Sequence, residues 1–329
     1  MFCACLGRVC VRAESVAGCQ PVRSHVLEGS PRIRSGQIGS IAQPQDGYLW
    51  LGTDAGLYLF DGVRAVFWHP TPGQSLSSNI IMSLLGARDG TLWIGTAAGL
   101  DSLKDGRLVH HPEIGGGFAA ALLEDREGAI WVTRIAIARG DDKVCVIRNQ
   151  QPHCPAEFAG KRVVSLYQDQ AGNLWAGGDE GVWRWRHGEQ NFYAISPQRN
   201  GIEGFAELET GSLVFSGNFG LKRLVNDRIE PYLDSAGEFR PRRLLRDREG
   251  SLWITSMQGL VHVQGKIDRF EQKDGLSGDP SYPIFQDREG TLWVATGQGL
   301  DRFRDFAIAP VSFATGPPLG LHSAGGSRR

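Results

Sequence analysis

The sequence has no run of apolar residues approaching the ~18 that a membrane-spanning helix needs. It has no excess of either charge: 35 Lys and Arg face 36 Asp and Glu, a formal net charge of −1. That balance offers no electrostatic pull toward nucleic acid or an anionic membrane, so no nucleic-acid partner is expected. No segment repeats its apolar residues every 3.6 positions over any length, so helix is expected to be scarce. No metal-ligand cluster, phosphate-cradling loop or Ser/His/Asp motif stands out among the eight His and the acids. Neither a metal nor a cofactor is expected.

Cysteine is sparse and unevenly placed. Cys3, Cys5, Cys10 and Cys19 crowd the N-terminus without a second ligand pair at zinc spacing. Cys145 and Cys154 flank a turn at Arg148–His153. They can pair across it in an oxidising compartment or remain two reduced thiols. Residues 1–21 resemble a truncated export signal, with Val16-Ala-Gly-Cys19 similar to a lipid-attachment box, but Arg8, Arg12 and Glu14 interrupt the apolar run. Residues 313–329, rich in Gly, Pro and Ser, are expected to be a disordered tail.

What the sequence has in quantity is glycine, 44 residues, and tryptophan, nine. They fall in register. Gly47-Tyr-Leu-Trp50, Gly90-Thr-Leu-Trp93, Gly128-Ala-Ile-Trp131, Gly172-Asn-Leu-Trp175, Gly211-Ser-Leu-Val214, Gly250-Ser-Leu-Trp253 and Gly290-Thr-Leu-Trp293 recur at spacings of 43, 38, 44, 39, 39 and 40. Units of about 40 residues match the period of a propeller blade. The second unit reads as four strands, near 80–85, 91–96, 100–103 and 107–110, separated by turns. The spacing therefore predicts an all-β fold: a single seven-bladed β-propeller of four-stranded blades over residues 22–312. The last blade lacks a fourth strand. Val22–Glu28 is expected to supply it, in preference to Phe306–Ala309, because pairing the chain's two ends removes an open edge.

The repeated Trp is expected to fill the wedge between blades, not to stack ligands. Asp125, Asp169, Asp247 and Asp287, each three residues before the turn Gly, are expected to cap their turns. Trp68, Trp183 and Trp185 lie off the repeat and are expected to be exposed: they are candidate contact aromatics, with packing on outer strands the favoured role.

The string Gly-x-Leu-Trp-Ile/Leu-Gly-Thr-x-x-Gly-Leu, clearest at Asp46–Gly62 and Asp287–Leu300, resembles the two-component regulator propeller repeat. Lys273-Asp-Gly-Leu-Ser-Gly278 resembles that family's inter-blade loop. Blade three departs at Trp131-Val-Thr-Arg-Ile-Ala-Ile-Ala-Arg-Gly, and blade five has Val214 for Trp. The resemblance implies a non-catalytic, extracytoplasmic (periplasmic or extracellular) sensor propeller with a small-molecule or glycan ligand. Its histidine kinase or other output domain would lie outside this chain, and a homodimer fits such coupling. The alternatives are a stand-alone interaction scaffold and, less favoured, a sialidase-like glycosidase, whose Asp-box spacing this chain does not keep. If first strands line the channel, one face collects Asp54, Asn79, Asp179, Asn218, Arg240, Arg242, Tyr282 and Gln298. These differ between blades, as a site on a pseudo-symmetric scaffold should, and they form the candidate ligand set. Arg240-Pro-Arg-Arg243 is the densest charge cluster; it is expected to be a solvated surface patch, with contact to an anionic group as the alternative.

Overall fold

A computed structural model describes residues 23–26, 37–138, 140–186, 188–195, 201–233 and 240–304. The expected export segment, its four cysteines, the tail and Phe306–Ala309 lie outside these residues.

Seven four-stranded antiparallel sheets form the blades. Each is a meander from an innermost first strand outward. The first strands are Ile38–Ala42, Ile81–Gly86, Phe118–Glu124, Val163–Gln168, Ile202–Glu207, Pro241–Arg246 and Ser281–Gln286. Each packs against the next, and the seventh packs against the first, so the ring closes around a central channel. The second blade is built from 81–86, 92–96, 99–104 and 107–110, within a residue or so of the sequence reading. Helix is limited, among the described residues, to three-residue 3-10 turns at Pro112–Ile114, Ala156–Phe158 and Gln272–Asp274. The fourth strand of blade seven is Arg23–Val26, antiparallel to Leu300–Arg304 with Arg23 opposite Arg304 and Val26 opposite Asp301. The N-terminal segment thus closes the ring, as the edge argument required.

The core is divided into seven layers, one between each pair of neighbouring blades. Trp50 packs on Ile81, Leu92 and Ile94 of blade two, and Trp293 packs on Ile41, Leu49 and Leu51 of blade one. In blade five Val214 takes the Trp position and meets Leu252 and Ile254. The repeated tryptophan is therefore a wedge filler.

The turn aspartates do more than cap. Asp287 accepts from Thr291 N at 2.7 Å through Oδ1 and from Trp293 Nε1 at 2.7 Å through Oδ2. The same pair of bonds joins Asp125 to Ala129 and Trp131, Asp169 to Asn173 and Trp175, and Asp247 to Ser251 and Trp253. One carboxylate thus holds both the turn and the indole that fills the wedge. Blade two has Ala87 at this position, and there Trp93 lies against His111, ring centroids 4.9 Å apart.

The repeated Gly-Thr has its own physical cause. Gly95 faces Ser83 of its own blade and the Ala119 carbonyl of blade three, and a Cβ would overlap both. Thr96 Oγ1 donates to Gly99 O at 2.9 Å and accepts from Ala98 N at 3.1 Å, which locks the following hairpin.

Polar bonds bind neighbouring blades on the face that holds the first-to-second turns. Arg88 N, Arg126 N, Gln170 N, Arg248 N and Arg288 N each donate to a Glu or Gln at the end of the next blade's first strand, or just past it for Gln43: Glu124, Gln168, Glu207, Gln286 and Gln43. Arg246 reaches Glu209 at 3.0 Å between blades six and five, and Gln45 donates to Arg88 O between blades one and two.

Candidate functional site

An antiparallel meander returns to the same face every second turn. The fourth-to-first connections and the second-to-third turns therefore share one face, here the upper face. Six of the eight candidate residues belong to those segments, and Arg242 and Tyr282 are the second residues of the first strands of blades six and seven. Asp54, Asn79 and Asn218 stand exposed at separate blades. Gln298 is exposed in blade seven and accepts from Gln272 Nε2 at 3.4 Å. Asp179 is half-buried and pairs with Arg162 Nε at 3.7 Å. Arg240 is held by its backbone: its N–H donates to Gln258 Oε1 at 3.2 Å.

Two candidates come together. The Arg242 guanidinium lies 5.5 Å from the ring centroid of Tyr282, one blade on, within cation–π range. Its Nε is 3.8 Å from Glu203 Oε2, one blade back. Three blades thus converge on one charged cluster. Residues about 40 apart in sequence meet because they hold equivalent places in successive first strands.

The sequence reading omitted Glu203 from the site and placed Arg243 only in a charge cluster. Both line the central cavity, whose volume is about 420 Å³. Arg243 Nη1 donates to the Glu203 carbonyl at 2.5 Å. The ring surrounds this guanidinium, yet it stays open to the channel. Enclosure lowers its pKa from the ordinary arginine value, against the opposing pull of Glu203. A guanidinium remains charged through such a shift. The signal available in sequence was the position of Arg240-Pro-Arg-Arg243 at the opening of a first strand. Strand alternation alone does not say which arginine faces the axis, because the pairing register shifts between Pro241 and Leu244.

Ser77, Asp101 and His110 also meet. Ser77 Oγ donates to Asp101 Oδ1 at 2.5 Å, and His110 Nδ1 is 2.7 Å from the same oxygen. Ser77 Oγ lies 3.2 Å from that same ring nitrogen. A nucleophile-activating triad needs serine and aspartate on opposite nitrogens of the imidazole. Blade seven repeats the serine and the acid at Ser277 and Asp301, and its strand register sets Val26 opposite Asp301 where blade two has His110 opposite Asp101. The arrangement is an inter-strand fastening. Among the described residues no group of His, Cys, Asp or Glu is arranged to hold a metal.

Trp183 is buried, with Phe192 stacked on it at 5.0 Å, and Trp68 packs on Trp50 at 5.7 Å. The half-buried Trp185 lies 4.1 Å from Phe158. All three pack against neighbouring rings, and Trp183, expected to be exposed, is buried because its third strand faces the adjoining blade. Cys145 and Cys154 form a disulfide across the outer hairpin of blade three.

Residues 75–98, 157–180 and 275–298 match the family model described as two component regulator propeller. No curated protein matches the chain in sequence. Among solved structures it is similar to the extracellular domain of a putative hybrid two component system from B. thetaiotaomicron. That match has a TM-score of 0.67 and 17% identity, over 82% of this chain and 40% of the other. It is also similar to a catalytically inactive virginiamycin B lyase from Staphylococcus aureus, solved with quinupristin, at a TM-score of 0.66 and 14% identity over 87% and 99%. PorZ, a surface component of the type-IX secretion system of Porphyromonas gingivalis, matches at 0.64 and 15% over 82% and 46%. This chain thus spans less than half the length of the two-component and PorZ chains. At these identities the likeness is one of fold. Segments of blades two, four and seven thus match two component regulator propeller repeats, within a closed ring of seven blades.

Proposed function

We propose that this chain is the ligand-sensing propeller of a two-component-type regulator, acting outside the cytoplasm and passing its signal to an output domain beyond this chain. The observation that carries the reading is the convergence of Glu203, Arg242 and Tyr282 from three successive blades on the face where non-equivalent loops meet. A pseudo-symmetric ring gains a specific site only where its blades differ, and they differ here. The repeat family supports the sensor role. The Cys145–Cys154 disulfide supports an oxidising compartment. Catalysis is not proposed: the likeness to a lyase is one of fold, and Ser77, Asp101 and His110 lack a triad's arrangement.

Two measurements test this. The full chain would be screened by thermal shift against small metabolites and oligosaccharides. A compound that raises the melting temperature of the native chain, but not of Arg242→Ala or Tyr282→Ala, supports a ligand face. A panel that moves nothing counts against it. Thiol alkylation of the protein from its native cells then tests the compartment: Cys145 and Cys154 should resist labelling unless first reduced.

A further inference from the structure

The channel mouth is uneven. Blade six brings Arg240, Arg242 and Arg243 to it, and the carboxylate of Glu203 sits nearest to Arg242. Arg243 makes one side-chain hydrogen bond among the described residues, to a carbonyl, and lines the cavity. Blades two and three stand across the channel, each three places from blade six around the ring. They carry exposed apolar side chains at the same rim. Met82 lines the cavity opposite Arg243, Phe118 opens the next first strand, and Ile137, 85% exposed, stands on blade three's second-to-third connection. That connection is the one that breaks the Gly-Thr-x-x-Gly-Leu pattern. Single exposed apolar residues are ordinary, but here Met82 lines the same cavity of about 420 Å³ as a guanidinium, and the first strand that Phe118 opens packs on the strand of Met82.

We propose that the channel mouth binds a small amphiphilic carboxylate, its acid on Arg243 and its apolar part on Met82 and Phe118. This rests on the reading of the upper face as the ligand face and names the ligand's class. A guanidinium offers two parallel N–H donors to a carboxylate. The apolar rim supplies the affinity that an exposed ion pair lacks. A neutral glycan would form no ion pair with Arg243 and offers less apolar surface to the rim.

Isothermal titration of the full chain tests the proposal, with sodium decanoate below its micelle concentration, sodium acetate, octyl glucoside and maltohexaose as probes. Decanoate should bind one to one, and acetate and octyl glucoside each at least tenfold more weakly. Arg243→Met and Phe118→Ser should each weaken decanoate at least tenfold with melting curves still cooperative. Arg107→Met, on an outer strand, should not. Decanoate binding that survives Arg243→Met, or acetate binding as tightly as decanoate, overturns the proposal. Maltohexaose binding without decanoate binding overturns the ligand class and leaves the ligand face standing. If no probe binds and no compound shifts the melting temperature, both readings fall.

Discussion

The backbone N–H of Arg288 in blade seven donates to the side-chain Oε1 of Gln43 in blade one at 2.8 Å. The Arg288 guanidinium also reaches the carbonyls of Gln45, at 3.3 Å, and Gln43, at 3.4 Å. This latch joins the last blade to the first, residues 245 apart in the chain. Blade seven alone is assembled from both ends of the chain: its fourth strand, Arg23–Val26, precedes blade one in sequence, and its first three strands come last.

Gln43→Ala should therefore loosen the junction as a whole. The expected cost is about 1–2 kcal/mol: the Arg288 N–H is left without its acceptor, and the bonds from Gln43 Nε2 to Gly47 O and Glu289 Oε2 are lost with it. Hydrogen exchange should accelerate first in Ser281–Gln286 and Ile38–Ala42. The matching change Gln168→Ala, which breaks the bond from Arg126 N, should cost as much but loosen blades three and four instead. Equal acceleration everywhere in both variants would show that the latches act only on global stability.

The Asp–Trp bond gives a sharper prediction. Asp287→Ala strips the acceptor from both Thr291 N and the buried Trp293 indole. Bonds to a charged acceptor are worth about 1.5–3 kcal/mol each, so a loss of roughly 3 kcal/mol in chemical denaturation is expected. Ala87→Asp in blade two should create no comparable gain, because Trp93 already lies on His111. A loss below about 0.5 kcal/mol for Asp287→Ala would reduce the aspartate to a dispensable cap.

Gly95→Ala should destabilise by at least about 2 kcal/mol, since the new methyl meets the Ser83 hydroxyl and the rigid Ala119 backbone of the adjacent blade. Gly106→Ala is the control for space alone: nothing lies within 4 Å of its Cβ position, although its φ is +75°. Only the Gly95 variant should separate blades two and three, read as new proteolytic cleavage near that junction.

His262 sets a pH dependence. It is buried against Trp253, ring centroids 4.2 Å apart, and burial lowers its pKa from 6.5, opposed by Asp268 and Asp247. The unfolded chain therefore takes up this proton at higher pH than the folded one. The contribution is complete above the unfolded value of about 6.5 and is lost as pH falls from there toward the folded value. The melting temperature should drop between pH 7 and pH 5, and His262→Phe should flatten that drop. An unchanged slope in the variant would assign the acid sensitivity to other groups.

The repeat was legible because each blade is a local object. Gly, Leu, Trp and Thr at fixed offsets encode a turn, a strand and a wedge filler within about 20 residues, and seven copies imply a ring. The closing role of the N-terminal strand followed from the need to cover an edge. The partners of these residues were less legible. That Asp287 holds an indole six positions on depends on strand twist and rotamer, which spacing does not state. That Cys145 and Cys154 pair depends on the hairpin register, which sets Val146 opposite His153 and so brings the cysteines face to face. The site was least legible. Glu203, Arg242 and Tyr282 are about 40 residues apart, and each is unremarkable in its own blade. Sequence alone determined the blade and the number of blades, because those depend on contacts within one repeat. Only the tertiary ring decided which charges face one another across the channel, because closure brings unlike positions of like repeats to a common axis.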